Sequence, residues 1–132
     1  MIFVDSSFWI AYGMASDSHH ATALAVFDAH HAEPLVTSNL VRGETWTFLR
    51  RRSGHAAATD FLDRIEGAER VEIVRISREL EDEALSWLRR HDEREYSFVD
   101  ATSFALMRSL RVREALAFDG DFAAAGFVEL RP

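Results

Sequence analysis

The residues Ile2-Phe3-Val4 form an uninterrupted apolar run that ends at Asp5. A short run without polar alternation is typical of a parallel strand that is covered by helices on both faces. Asp5 is then expected at the carboxyl end of that strand, the edge at which open α/β sheets bind ligands. An equally good interpretation is that Asp5 or Ser6 only caps a helix that begins near Phe8.

Similar apolar runs recur along the chain and alternate with segments of helical periodicity. Further strands are predicted at residues 35–37, 71–76, 115–118 and 128–130. Helices are predicted at about 8–12, 21–31, 40–51 and 97–110, with two more between Gly54 and Gly67 and after Ser77. This alternation predicts an α/β fold, with a central, mostly parallel sheet of about five strands flanked by helices. We expect residues 1–132 to form a single domain.

The composition removes several classes of function. The chain has no cysteine, which excludes disulfides and thiolate metal sites. All fifteen basic residues are arginine, so no reaction that depends on a lysine, such as Schiff-base chemistry, is available. A net charge of −7 argues against binding nucleic acid by bulk charge, although local basic patches remain compatible with it.

The first residues and the hydropathy of the sequence indicate where in the cell the protein is expected. Met1 leads directly into the first predicted strand, and no apolar run approaches the length of a membrane span. We therefore expect a cytoplasmic protein that does not enter a membrane.

Four acids fall at comparable places in this predicted architecture. Asp5 and Asp119 follow predicted strands, whereas Glu44 and Asp100 are expected in the first turns of helices that start at the same edge, with Asp121 as a fifth candidate. Two carboxylates about 4 Å apart repel by roughly 4 kcal/mol at an effective dielectric constant near 20. A hard divalent cation relieves that repulsion, and ligands that are all oxygen favour Mg²⁺ or Mn²⁺. Such a site supports hydrolysis of phosphodiesters, because the cation activates water and neutralises developing charge.

Each acid also has a purely structural interpretation. Glu44 is compatible with a favourable interaction with the helix dipole, and Asp100 with a capping box that it forms with Ser97. Asp119-Gly120 is compatible with a tight hairpin turn. Because the acids recur at one predicted edge of the sheet, a shared site is favoured over a separate structural role for each acid.

Four segments resemble the PIN-domain ribonucleases, and most closely the VapC toxins of bacterial toxin–antitoxin pairs. In chain order, the segments are residues 2–7 (IFVDSS), 43–46 (GETW), 96–105 (YSFVDATSFA) and 117–122 (AFDGDF). The resemblance implies a PIN-like fold and a Mg²⁺- or Mn²⁺-dependent endoribonuclease. It also implies a homodimer that is neutralised by a VapB-type antitoxin.

The resemblance also implies roles for particular residues. Asp5, Glu44, Asp100 and Asp119 match the acidic quartet that carries catalysis and binds the metal in the family. Asp121 matches a position that is sometimes an additional metal-binding acid. Ser7 matches a small hydroxyl residue that supports the site near the metal.

The RNA target is suggested by a narrower resemblance. Residues 91–96 (HDEREY), together with 118–122 (FDGDF), resemble a mycobacterial-type branch whose members cut the sarcin–ricin loop of large-subunit rRNA. Many other VapC toxins cut tRNA, which is the second candidate target. A non-catalytic PIN-like module that binds a partner peptide or RNA is the alternative function.

The basic residues form three groups that have two open interpretations. The groups are Arg50-Arg51-Arg52, Arg89-Arg90 with Arg94, and Arg108 with Arg111 and Arg113. Contacts with RNA phosphates and solvated helix ends explain them equally well.

Overall fold

The computed structural model contains one parallel sheet of five short strands in the order β3-β2-β1-β4-β5. The strands are β1 (Ile2–Val4), β2 (Leu35–Ser38), β3 (Val71–Val74), β4 (Glu114–Leu116) and β5 (Val128–Glu129). β1 lies at the centre, and all three of its side chains are fully buried. This agrees with the apolar run that predicted a strand covered on both faces, and the prediction of an α/β fold is confirmed.

Seven helices surround the sheet. They are α1 (Ser6–Gly13), α2 (His20–Ala29), α3 (Asn39–Ser53), α4 (His55–Gly67), α5 (Arg78–Arg90), α6 (Phe98–Leu110) and α7 (Asp121–Ala124). α3 packs against α4 and α1, and α5 packs against α6. None of these helices has both the length and the apolar content that crossing a membrane requires.

Several strands and helices begin or end at other residues than predicted. In each case a neighbouring strand or a helix cap sets the observed boundary. β3 and β4 are shorter than predicted because their neighbours end opposite them, Ser38 being paired with Val74 and Val4 with Leu116. α3 begins at Asn39 because the Ser38 hydroxyl accepts a hydrogen bond from the Val41 N–H. The prediction that Glu44 lies in the first turn of its helix was therefore wrong.

The core on one side of the sheet is built around an aromatic cluster. Phe104 of α6 is fully buried, and its ring centre lies 5.3 Å from Trp87, 5.0 Å from Phe122 and 5.5 Å from Phe127. The contacts with Trp87 and Phe122 are edge-to-face, a favourable arrangement of aromatic rings. This cluster joins α5, α6 and α7, and so fixes the two helices that carry Asp100 and Asp121.

Truncating the central ring tests this packing. We expect Phe104→Ala to lower the free energy of unfolding by about 3–5 kcal/mol, because it leaves a cavity among aromatic rings. Phe98→Ala on the same helix is the control, since that side chain is 38% exposed and its loss is expected to cost less than about 1 kcal/mol. Urea denaturation measures both, and equal losses would contradict the assigned centre of the core.

Candidate metal-binding active site

The sheet topology brings the predicted acids to one edge. β1 pairs with β4, and the Asp5 N–H donates a hydrogen bond to the Leu116 carbonyl over 3.0 Å. Asp5 and Asp119 therefore follow the carboxyl ends of adjacent parallel strands, as the sequence predicted. One carboxylate oxygen from each of Asp100, Asp119 and Asp121 lies within 4.8 Å of the others.

Asp5 caps a helix and also retains a free oxygen. Its Oδ2 accepts hydrogen bonds from the Ser7 N–H (3.1 Å) and the Ser7 hydroxyl (2.7 Å), which caps α1. Its Oδ1 is buried and accepts no hydrogen bond from the protein. The capping interpretation is thus confirmed for one oxygen, and the other oxygen is left available to the predicted site. A buried oxygen without a donor is a position that a cation fits.

The other three aspartates divide their oxygens in the same way. Oδ2 of Asp100 accepts from the Ser97 N–H (3.0 Å) and completes the predicted capping box. Oδ1 of Asp119 accepts from the Asp121 N–H (3.0 Å), and Oδ1 of Asp121 accepts from Arg94 Nε (2.9 Å). The second oxygen of each side chain receives no hydrogen bond from the protein.

The segment after β4 is not a hairpin. Gly120 adopts φ = 80°, a left-handed conformation that suits glycine, and α7 begins at the next residue. This turn brings Asp121 back towards Asp119, so the sequence Asp-Gly-Asp delivers two carboxylates to one place.

Burial and mutual repulsion raise the pKa values of Asp5, Asp100 and Asp119. Burial, followed by the charge of Asp119, raises the pKa of Asp5 to about 8. Burial raises the pKa of Asp100 to about 7, with the charges of Asp119 and Asp121 adding to the effect, and burial also raises the pKa of Asp119. Without a cation, protons therefore reduce the repulsion in this cluster near neutral pH.

Glu44 lies on α3, which packs against α1. Its Oε1 accepts a hydrogen bond from the Ser6 hydroxyl over 2.5 Å. It lies outside the group of three aspartates whose oxygens meet within 4.8 Å. Its role as a metal ligand or catalytic residue stays a prediction.

Ser7 links the chain segments that follow β1 and β4. Its hydroxyl donates to Asp5 Oδ2 and accepts a hydrogen bond from the Phe118 N–H over 3.0 Å. This places the residue that was predicted to support the site between the ends of β1 and β4.

Arg94 contacts the acid cluster, although no sequence pattern indicated such a role. Besides its ion pair with Asp121, its Nη2 donates to the Asp119 carbonyl over 3.4 Å. The sequence grouped Arg94 with the charged run before α6, and no local pattern relates it to an acid 27 residues away. Arg94 compensates part of the negative charge and holds the turn that carries both acids.

The donor set fits a hard divalent cation. The converging ligands are carboxylate oxygens, several of them without a donor from the protein, and no cysteine or histidine belongs to the cluster. Oxygen ligands of this kind suit Mg²⁺ or Mn²⁺ better than zinc.

Comparisons with known proteins agree with the fold and identify the family. The sequence profile of the PIN domain matches residues 2–128. The 23S rRNA-specific endonuclease VapC20 of Mycobacterium tuberculosis, in strains CDC 1551 / Oshkosh and ATCC 25618 / H37Rv, is 56% identical over 133 residues, covering 100% of this chain and 99% of the relative. The crystal structure of M. tuberculosis VapC20, described as a sarcin–ricin loop cleaving toxin, superposes with a TM-score of 0.94 at 52% identity, covering all of both chains.

The raised pKa values predict how stability depends on pH. Asp5 and Asp100 hold protons in the folded protein at pH values where the unfolded chain has lost them, so stability without metal falls as pH rises from about 4 through about 8. Each such proton contributes a slope of about 1.4 kcal/mol per pH unit. We expect the melting temperature of the metal-free protein to fall between pH 6 and pH 8, and the increase caused by Mg²⁺ to grow over the same range.

Asp5→Asn is the control for this pH series, because the amide cannot ionise. Its melting temperature should depend less on pH than that of the wild type. A wild-type melting temperature that rises with pH, or an increase from Mg²⁺ that shrinks, would contradict the assignment.

Removing the Ser7 hydroxyl tests the link between the strands. Ser7→Ala leaves the Phe118 N–H without a partner and removes one of the two hydrogen bonds to Asp5 Oδ2, so we expect a loss of about 1–3 kcal/mol in the free energy of unfolding. Ser109→Ala is the matched control, because that hydroxyl donates only to the Leu106 carbonyl within its own helix. Urea denaturation compares the two, and a larger effect at Ser109 would show that Ser7 does not hold the strands together.

Proposed function

The chain belongs to the PIN-domain family and, within it, to the VapC toxins, and we propose that it is a Mg²⁺- or Mn²⁺-dependent endoribonuclease that inhibits translation. The observation that carries the proposal is the buried Oδ1 of Asp5, which accepts no hydrogen bond and belongs to a carboxyl group whose pKa is raised by burial and by the charges of Asp119 and Asp100. Neither a helix cap nor a solvent-exposed acidic patch requires such an atom.

The side chains of this chain take distinct parts in the proposed reaction. Asp5, Asp100, Asp119 and Asp121 would hold the cation through the oxygens that their structural hydrogen bonds leave free, with Glu44 completing the acidic set from α3. When bound, the cation supplies activated water and neutralises charge that develops on the phosphodiester. Ser7 orients Asp5, and Arg94 orients Asp121, so both carboxylates are positioned before the substrate arrives.

We propose the sarcin–ricin loop of 23S rRNA as the target. The support is the 56% identity to a 23S rRNA-specific endonuclease over the whole chain, together with the likeness to a sarcin–ricin loop cleaving toxin. RNA-cutting enzymes reach exposed, unstacked nucleotides most readily in loops.

The remaining assignments follow from the VapC family. We propose that residues 1–132 act as one PIN domain, that the protein is a homodimer, and that a VapB-type antitoxin neutralises it. A toxin that acts on ribosomes works in the cytoplasm, which is the location we propose.

A non-catalytic module that binds a peptide or RNA explains the site less well. Such a module needs acids that its partner reaches, whereas Asp5 is 1% exposed and Asp100 is 6% exposed. Burying carboxylates raises their pKa values and costs stability, which is reasonable for a cation site and unnecessary for a peptide surface.

Cleavage of ribosomal RNA tests the proposed function. Purified wild-type protein with Mg²⁺ or Mn²⁺ and intact ribosomes is expected to produce one new RNA end in the sarcin–ricin loop, mapped by primer extension. Asp5→Asn and Asp100→Asn should lower the rate more than about a hundredfold and keep the fold, because the amide resembles the protonated acid of the metal-free protein. Asp63→Asn, an exposed change on α4, is the matched control and should cut normally.

The other outcomes separate the parts of the proposal. A cut in tRNA would keep the enzyme and replace its target. Cleavage retained in both aspartate variants would overturn the assigned site. No cleavage by wild-type protein that is free of antitoxin would favour the binding module.

A further inference from the structure

A groove lies between α3 and the start of α6. Its volume is about 790 Å³, and its lining includes Glu44, Thr47, Phe48, Arg51, Arg52 and Val99. Glu44 belongs to the acidic set, and Val99 directly precedes Asp100 in the chain. The groove therefore borders the predicted site at Glu44 and continues along the last turns of α3.

The far end of the groove is cationic. Arg51 and Arg52 are exposed, and neither forms an ion pair with a carboxylate of the chain. In contrast, Arg64, Arg94 and Arg108 all lie within 3.3 Å of an acid. Ten of the fifteen arginines form no ion pair, and these two are neighbours that line the groove.

An aromatic ring lies among these charges. Phe48 is half-buried on the same face of α3, and the Arg52 guanidinium lies over its ring, 5.3 Å from the centre. Aromatic rings and arginine planes are the groups on which unpaired RNA bases stack, and arginines bind the phosphates between them.

We propose that this groove receives the unpaired nucleotides on one side of the cleaved phosphate, with Arg51 and Arg52 on backbone phosphates and Phe48 against an unpaired base. The inference rests on the proposed function and deepens it, because it names the surface that selects single-stranded loop nucleotides over a duplex. The cations favour RNA over an apolar helix as the occupant, because two exposed arginines without an acidic partner line the groove.

Binding measured at several salt concentrations tests the role of Arg51. The protein carries Asp119→Asn to prevent cleavage, since Asp119 does not line the groove, and the probe is a fluorescent RNA hairpin with the sarcin–ricin loop sequence. Arg51→Gln should weaken binding and reduce the slope of log K against log salt by about 0.7, the contribution of one phosphate contact in a single strand. Arg78→Gln, an exposed change at the start of α5 and outside the three arginine groups, is the matched control and should leave the slope unchanged.

The same assay tests the role of Phe48. Phe48→Leu should weaken binding at least about fivefold, because it removes a stacking surface. The salt slope should stay the same, because no charge is lost. Phe27→Leu is the matched control, since that half-buried ring also lies under an arginine, Arg70 at 4.6 Å, but on α2 and outside the groove. Melting temperatures of all four variants separate loss of binding from loss of fold.

Each further outcome bears on one proposal. If wild-type protein cuts RNA while Arg51→Gln and Phe48→Leu bind like their controls, the groove inference fails and the proposed function stands. If wild-type protein neither binds nor cuts RNA, the proposed function fails. Variants that cut normally but escape a co-expressed antitoxin, or lose dimerisation in sedimentation, would assign the groove to a protein and overturn the inference.

Discussion

The pairing of β1 with β4 is the constraint on which the site depends. It brings the carboxyl ends of two parallel strands together, so that the chain following each strand must turn away at the same edge. Asp5 and Asp119 lie at those two turns, 114 positions apart in sequence and adjacent through the sheet. Because β1 is the central strand, the carboxylate at its end is buried by the helices that cover both faces. Its raised pKa follows from that position.

Each aspartate can both stabilise the fold and serve the proposed metal site, because a carboxylate has two oxygens. One oxygen accepts a hydrogen bond that caps a helix, closes a turn or binds Arg94, and the other receives no donor from the chain. The hydrogen bonds that start α1, α6 and α7 therefore also orient the acids. The aspartate carboxylates are therefore held in fixed positions by the helices, as a preorganised site requires.

The sequence predicted the parts that depend on local pattern. Asp5, Asp119 and the capping box of Ser97 with Asp100 follow from apolar runs, turn residues and spacing, and all lie where the sequence placed them. Local patterns do not predict contacts between segments that are distant in sequence. The ion pair of Arg94 with Asp121, the bond of Ser6 with Glu44 and the groove along α3 all depend on how helices pack around the sheet. The turn that holds Glu44 was misplaced because Ser38 and Asn39 are both good caps, and the difference of one residue moves Glu44 into the second turn.

Proton release on metal binding tests the central claim most directly, because it links the buried acids to the cation. Calorimetric titration of Mg²⁺ or Mn²⁺ at pH 7, in two buffers of different ionisation enthalpy, counts the protons that leave the protein. With the pKa of Asp5 near 8 and that of Asp100 near 7, binding should release about one to two protons, and fewer in Asp5→Asn. Binding without proton release, or the same release from Asp5→Asn, would contradict the account of a buried, proton-sharing metal site.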